Sequence, residues 1–417
     1  MLSKRQGKRI AQAALLGLLA ALLAGCWNAR EIDELAFIMA VGVDKDQEEE
    51  GLVVSFRIAN PTALSGGDSG GPQGGGPGST ETTFTVMVKG KTVAEAVSRL
   101  RTQIPRRPYF SHLQGIIIGE SLARVGIGEV IDYFEREEEL RRGVNIFVTK
   151  DIAAAELFDR ARQKLITISG IAISGLLAQA PETGFAPVVR LGDFLERFTS
   201  PRSETFAPVV TLAPATAMST AAVDQVALRG TAVFKGDKLA GYLDEQETAL
   251  LHLIIGGFRW TTFPVSGGGQ ISGDVRVNRM GGSIRVIDPA ELHFLITIQL
   301  RGTLKQVHSH QSIDGPQLVE RMAYELQRML QEKVVALVDK LKTWGTDIVG
   351  FGETFYRSHP RVWFQEEVHT NWPDLFAQSK VDVSVDCLIV ETGSIIRSAP
   401  FPQERPSEPA QKEGASP

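Results

Sequence analysis

Cysteine is nearly absent: 417 residues hold two, Cys26 and Cys387, too few for the disulfide framework of a stapled secreted scaffold. Long apolar runs are missing beyond residue 25, which removes any later bilayer-crossing helix from the reading. Positive charge is short as well. A formal charge of −5 argues against nucleic acid as a partner and supplies no basic patch to draw the chain to anionic headgroups. The signatures of catalysis and metal binding are equally thin. Ser111-His112 lacks a Gly-x-Ser-x-Gly elbow. His308 and His310 share one strand face, the first half of a zinc site, but no cysteine or HExxH helix stands near them. The adjacent acids Glu366 and Glu367 read as solvated charge rather than a glycosidase pair. Five tryptophans and five tyrosines, scattered, gather no solute-binding cleft.

What is present begins with the first 26 residues. Lys4, Arg5, Lys8 and Arg9 precede an apolar run from Ala11 to Ala24, shorter than the roughly 20 residues of a spanning helix. A basic start, a short apolar core and small residues at the end make a cleaved signal peptide over residues 1–25. Leu23, Ala24 and Gly25 before Cys26 resemble the lipobox of bacterial lipoproteins, whose thiol receives a diacylglyceryl group before cleavage. Cys26 is therefore expected to become a lipidated N-terminus carrying covalent diacylglycerol and a fatty acyl group, with no other cofactor and no metal. Losing residues 1–25 removes four basic side chains and takes the formal charge from −5 to −9, so attachment must come from acyl chains. Trp27, beside the lipid, suits the headgroup region.

Some 43% hydrophobic and 22% charged residues describe a globular chain with material for two or three domains. Residues 36–43 and 52–59 read as two strands joined by the acidic turn DKDQEEEG. Residues 65–79, SGGDSGGPQGGGPGS, lack the Lys-Ser/Thr ending and following helix of a phosphate loop and read as a flexible insertion. Val93, Val97, Leu100 and Ile104 mark a helix capped by Thr92. A charged helix follows over GEVIDYFEREEELRR, and Asp151 is expected to cap IAAAELF. Strand and helix alternate, so the fold class is α+β with mixed β-sheets and packed helices. Prolines and small residues place a connection at 198–224, between an N-terminal α/β domain (26–197) and a middle β-rich domain (225–289). The C-terminal α/β domain, 290–397, carries a long helix at about 315–344 whose stripe runs Val319, Met322, Leu326, Leu330, Val334, Leu337, Leu341 and Trp344. Val381, Val383, Val385 and Cys387 alternate with polar residues, placing Cys387 on a strand's apolar face as a buried core residue. The tail 398–417 is too polar and proline-rich to pack.

Taken in order, GCWNAREIDELAFIMAVGVD, PYFSHLQGIIIGESLARVGIGEVIDYFEREEELRR, GTAVFKGDKLAGYLDEQET and KLKTWGTDIVGFGETFYRSHPRVW resemble segments of the Ger(x)C spore germination lipoproteins. The chain departs from that pattern in its glycine-rich insertion, in WNAR and in its proline-rich tail. The resemblance implies the C subunit of a nutrient germinant receptor, without catalytic role, held at the cell membrane by its lipid on the outer face of the spore inner membrane. Its implied partners are the membrane-spanning A and B subunits, and it leaves open whether this chain binds germinant itself. Trp27, Arg30 and Glu31 near the lipid, with Tyr356 and Arg357, are the candidate partner contacts; Ser111-His112 reads as structural. The alternative is a solute-binding lipoprotein of a transporter.

Overall fold

The computed structural model describes residues 34–60, 83–160, 169–213, 225–267, 271–309, 315–365 and 368–391, with residues 12, 13 and 15. The lipobox at Leu23, Ala24, Gly25 and Cys26, the contacts Trp27, Arg30 and Glu31, the insertion 65–79, His310, Glu366-Glu367 and the tail 398–417 lie outside them. Order begins with β1 (Leu35–Lys45), whose apolar run pairs antiparallel with β2 (Leu52–Ala59) across the acidic turn, Val43 facing Val54. β3 (Thr83–Gly90) extends this meander. On the other side of β1 lie β4 (Arg107–Tyr109) and then β5 (Gly115–Ile118), both parallel to it. β6 (Asn145–Thr149) and β7 (Phe206–Ala213) continue in parallel, and β8 (Gln225–Lys235) and β9 (Lys238–Leu243) close the sheet antiparallel.

Helices cover this nine-stranded sheet on both faces. α1 (Val93–Gln103) starts where the Thr92 hydroxyl accepts the Glu95 amide at 3.2 Å, and buries Val93, Ala96, Val97 and Leu100. α2 (Glu120–Val125) and α3 (Gly128–Arg136) pack on the same side. The charged helix stops at Arg136, six residues short of the expected end; continued, it would set Glu138 and Glu139 one turn from Glu135, where like charges repel. Glu139 turns away instead, its carboxylate accepting from the Phe110 amide at 3.2 Å and from Arg107 at 3.1 Å. On the opposite face α4 (Ala154–Arg160) and α5 (Ser169–Thr183) cover a smaller core that includes Ala40, Phe147 and Val210, while α6 (Leu191–Phe198) leads into β7.

A second sheet holds β10 (Thr261–Gly267), β11 (Ile271–Asp288), β12 (His293–Ser309) and β13 (Lys380–Glu391) in that order. β13 returns parallel to β12. α7 (Glu245–Ile255) joins the sheets, and α8 (Gly315–Trp344) lies along the second, with Met322, Leu326, Leu330, Val334, Leu337 and Leu341 buried. Cys387 is buried on the facing strand, where the apolar surroundings push its thiol up to about 12. α9 (Phe351–Ser358), α10 (Pro360–Gln365), a 3₁₀ turn (Val368–Thr370) and α11 (Trp372–Gln378) fill the space between.

Two expected boundaries shift. The stretch 198–224 contains β7, whose Phe206, Ala207, Val209 and Val210 are buried in the first sheet. Pro208 hid it, since proline removes a ladder donor, and the register slips beside it. The middle domain of 225–289 divides: β8 and β9 complete the first sheet, whereas β10 and β11 belong to the second. A single apolar core runs through both sheets, with α7 and α8 between them.

α7 is buried nearly all round, His252 within it included. Its Nδ1–H donates to the Gly184 carbonyl at 2.9 Å, and burial holds the ring neutral by lowering its pKa from 6.5. A base with a depressed folded pKa contributes stability that is complete above about pH 6.5 and is lost as the pH falls below it. Urea midpoints between pH 8 and 5 should therefore decline for the wild type. In H252Q, lower at pH 8 but unable to titrate there, that part of the decline should vanish.

Candidate functional site

Two of the quoted segments converge on buried carboxylates. In Gly42-Val43-Asp44, Asp44 ends β1 and is almost fully buried. Its two oxygens accept the Ala154 and Ala155 amides at 2.8 and 2.9 Å, capping α4 from 110 residues away. This replaces the expected cap: Asp151 takes a left-handed φ of 60° and hands its own amide to Glu120. A Cβ on Gly42 would touch Ala154 and Phe158 at 3.0 Å, so glycine lets α4 approach β1. Burial pushes the Asp44 carboxyl above its ordinary 3.8, against the pull of the two amides. The crevice at the carboxyl ends of parallel strands, where open α/β sheets take ligands, is thus filled at β1 by the chain's own anion. Beside it, the Tyr242 hydroxyl donates to the Thr149 carbonyl at 2.9 Å.

In Thr346-Asp347-Ile348-Val349-Gly350-Phe351-Gly352, Asp347 is 1% exposed and satisfies four donors. Its oxygens accept from the amides of Gly350 (2.8 Å), Phe351 (3.1 Å) and Gly352 (2.7 Å) and from Trp372 Nε1 (3.0 Å). Its carbonyl accepts the Glu204 amide at 2.9 Å, joining this turn to the entry of β7. The left-handed Gly350, at φ 101°, aims three successive amides at one carboxylate. Around it Phe294, Phe351, Phe355, Trp363, Trp372 and Phe376 interlock with ring centroids 5.1 to 6.4 Å apart. Arg197 approaches from α6, its guanidinium over Phe206 at 4.8 Å and donating to the Ile348 carbonyl at 3.1 Å. Burial lowers its pKa, and Asp347 opposes that.

Tyr356 and Arg357, the candidate contacts within the described residues, sit at the rim of this hub. Tyr356 is half-buried under Arg202, whose guanidinium lies 4.7 Å from its ring centroid. Arg202 and Arg357 both reach Glu353, at 2.6 and 2.7 Å, and the pair holds its carboxyl below the ordinary range. Arg357 is exposed, and Phe364, 58% exposed, stands edge-on to Tyr356. The structure brings Tyr356 and Arg357 together in one surface that Arg202 completes through Glu353, 151 residues further along the chain. Sequence reading missed Arg202, Asp44 and Asp347, whose partners lie too far along the chain to be seen locally; the glycines flanking both aspartates were the available signal. Ser111 and His112 stay within the first sheet's layer. The Ser111 hydroxyl donates to the Glu139 carbonyl at 3.1 Å, and His112 packs on Phe37.

Among the described residues no cluster of three histidine, cysteine, aspartate or glutamate side chains is arranged to hold a metal, and no helix is long and apolar enough to cross a membrane. A groove of about 620 Å³ runs between α1 and α3, floored by Leu52, Val93, Val130 and Tyr133 and rimmed by Glu129 and Arg136. It is open along its length.

Residues 28–212 match the family described as spore germination protein N-terminal domain, and residues 229–393 match spore germination B3/GerAC like, C-terminal. Spore germination protein KC of Bacillus subtilis (strain 168) is 25% identical over 91% of this chain and 95% of its own length. Spore germination protein B3 of the same organism is 22% identical over 89% and 95%. The crystal structure of the GerBC protein superposes with a TM-score of 0.51 at 18% identity, over 84% of this chain and 96% of that one.

Proposed function

We propose, from the premise that this chain belongs to the GerAC family of spore germination proteins, that it is the lipid-anchored, non-catalytic C subunit of a nutrient germinant receptor. Its role in spore germination follows from the family. The finer reading is supported by one arrangement above all: the family's two domains match residues 28–212 and 229–393, the first starting just after the lipobox-like Leu23–Cys26. The polar chemistry inside the fold is spent on structure. Asp44 and Asp347 each bind the chain's own amides, which leaves the exterior to do the work.

The mechanism is placement. Acyl chains on Cys26 hold the protein at the outer face of the spore inner membrane and raise its effective concentration beside the membrane-spanning A and B subunits, so modest interfaces suffice. Tyr356, Arg357 and Phe364 offer one such interface, aromatic and cationic residues being those that dominate binding hot spots. Trp27, Arg30 and Glu31 would form a second against the bilayer and the subunits. The test is dipicolinate release from spores of the native host after nutrient addition, in wild type, a deletion and C26A, with a receptor-independent trigger as control. Both mutants should lose the nutrient response, C26A by tenfold or more (about the drop in effective concentration on untethering), and keep the control response. A paralogue-free deletion that responds normally to nutrient would overturn the proposal.

A further inference from the structure

We infer that the end of the first sheet where β1 starts is a bilayer-facing surface that engages anionic phospholipid headgroups, an inference that rests on the lipid anchor proposed above. Eight residues, 27–34, separate Cys26 from β1. Even fully extended, they keep Leu35 within roughly 30 Å of the acylated residue. That end of the sheet therefore stays within that distance of the bilayer.

The residues gathered there form a local basic cluster that the net charge of −5 conceals, so the expectation of no basic patch is corrected at this end of the sheet. β4 runs beside the start of β1, with Leu35 opposite Arg107 and Phe37 opposite Tyr109. Phe37, Tyr109 and His112 form a half-exposed aromatic triad with centroids 5.0 to 6.0 Å apart, two of the three rings carrying polar atoms. Such rings favour the headgroup level, where one side is apolar and the other wet. Arg106 and Arg107 flank the triad, and the loop bonded to it through Glu139 brings Arg141 and Arg142. The acids of this region are largely engaged: Glu139 by Arg107 at 3.1 Å, Glu135 by Arg142 at 3.4 Å and Glu137 by the Tyr133 hydroxyl at 3.0 Å. Glu138, and Glu34 just before β1, make no such bond among the described residues. Arg106 and Arg141 have no ion-pair partner among the described residues, leaving two guanidinium forks for phosphate oxygens. The net charge of −5 favours this orientation, since an anionic surface repels the molecule as a whole and attracts its basic end.

Hydrogen–deuterium exchange on the full-length lipidated protein tests this, in vesicles of pure phosphatidylcholine and in vesicles containing phosphatidylglycerol. Segments 106–113 and 139–143 should exchange about tenfold more slowly on the anionic vesicles at 0.1 M salt and lose that protection at 1 M. The R106E/R141E variant, altered at the half-buried Arg106 and the exposed Arg141, should float with the vesicles as wild type does and show no protection. Equal exchange on both vesicle types, with flotation intact, refutes the surface while leaving the anchor standing. Protection that appears only with the membrane-spanning subunits present makes this a protein interface and overturns the inference too. Failure of the wild type to float with either vesicle overturns it through its premise, the anchor.

Discussion

Replacing Asp347 with alanine should lower the stability of this protein by about 4 kcal/mol, read as a fall in the urea midpoint. The side chain is small, so little packing is lost. The cost lies in what it leaves behind: three backbone amides and the Trp372 indole N–H, all buried, without an acceptor. Each unsatisfied buried donor costs about 1–3 kcal/mol, and release from the carboxylate's own desolvation offsets part of the sum. Because the carboxylate holds the start of α9 and the Trp372 ring, the aromatic cluster should loosen with it, visible as lost near-ultraviolet dichroism. D347N should cost about half as much. Its carbonyl can still accept from Gly350 and Phe351, but its amide nitrogen would face the Gly352 and Trp372 donors.

The same substitution has a pH signature. Burial raises the folded pKa of Asp347 above its ordinary 3.8, so the native state holds this proton more tightly than the unfolded chain does. The stability that follows is complete below about pH 3.8 and diminishes as the pH rises through the folded value. The gap between wild type and D347A should therefore be wider at pH 4 than at pH 7. A gap that widened with rising pH instead would mean that the four donors outweigh burial and the group folds with a lowered pKa.

These two aspartates mark the limit of what can be read along the chain. The stripe from Met322 to Leu341 was legible because a helix repeats its buried face every three or four residues. Thr92 was legible as a cap because its partner, the Glu95 amide, lies three residues away at 3.2 Å. Asp44 caps α4 across 110 residues, and nothing near it announces a helix in need of a cap. The local candidate, Asp151, is turned into a left-handed conformation instead. Strand β7 was hidden for a related reason: Pro208 is a sound local signal against a strand, overridden by neighbours on both sides that bury Val209 and Val210. The quoted segments carried further than the periodicities, because they hold Gly42, Asp44, Asp347, Gly350 and Gly352, whose purposes are tertiary. Arg202 shows the opposite limit for the candidate site. Its stacking on Tyr356 and its bond to Glu353, 151 residues on, follow from the path of the chain into β7.

Glycines test that view, since a tertiary requirement and a conformational one can be separated by comparing two of them. Gly230 and Gly236 both lie at positive φ, 88° and 57°, on either side of the same strand segment. A Cβ at Gly236 meets nothing within 4 Å, so G236A should cost about 1 kcal/mol, the penalty of placing an L-residue in the left-handed region. At Gly230 the Cβ would lie 2.3 Å from the Leu243 carbonyl oxygen, a backbone atom that cannot swing aside. Relieving that overlap requires β8 and β9 to separate beside Asp244, the residue that opens α7. Conformational strain and main-chain displacement together should cost G230A about 3–4 kcal/mol. The displacement should also reach α8, because Glu247 in the first turn of α7 holds Lys340 at 2.7 Å. Hydrogen exchange would separate the two cases. G236A should perturb only its hairpin, whereas G230A should speed exchange in α7 and at the Lys340 end of α8. If both variants lose the same stability, backbone conformation alone sets the requirement at Gly230, and the packing of β8 on β9 does not.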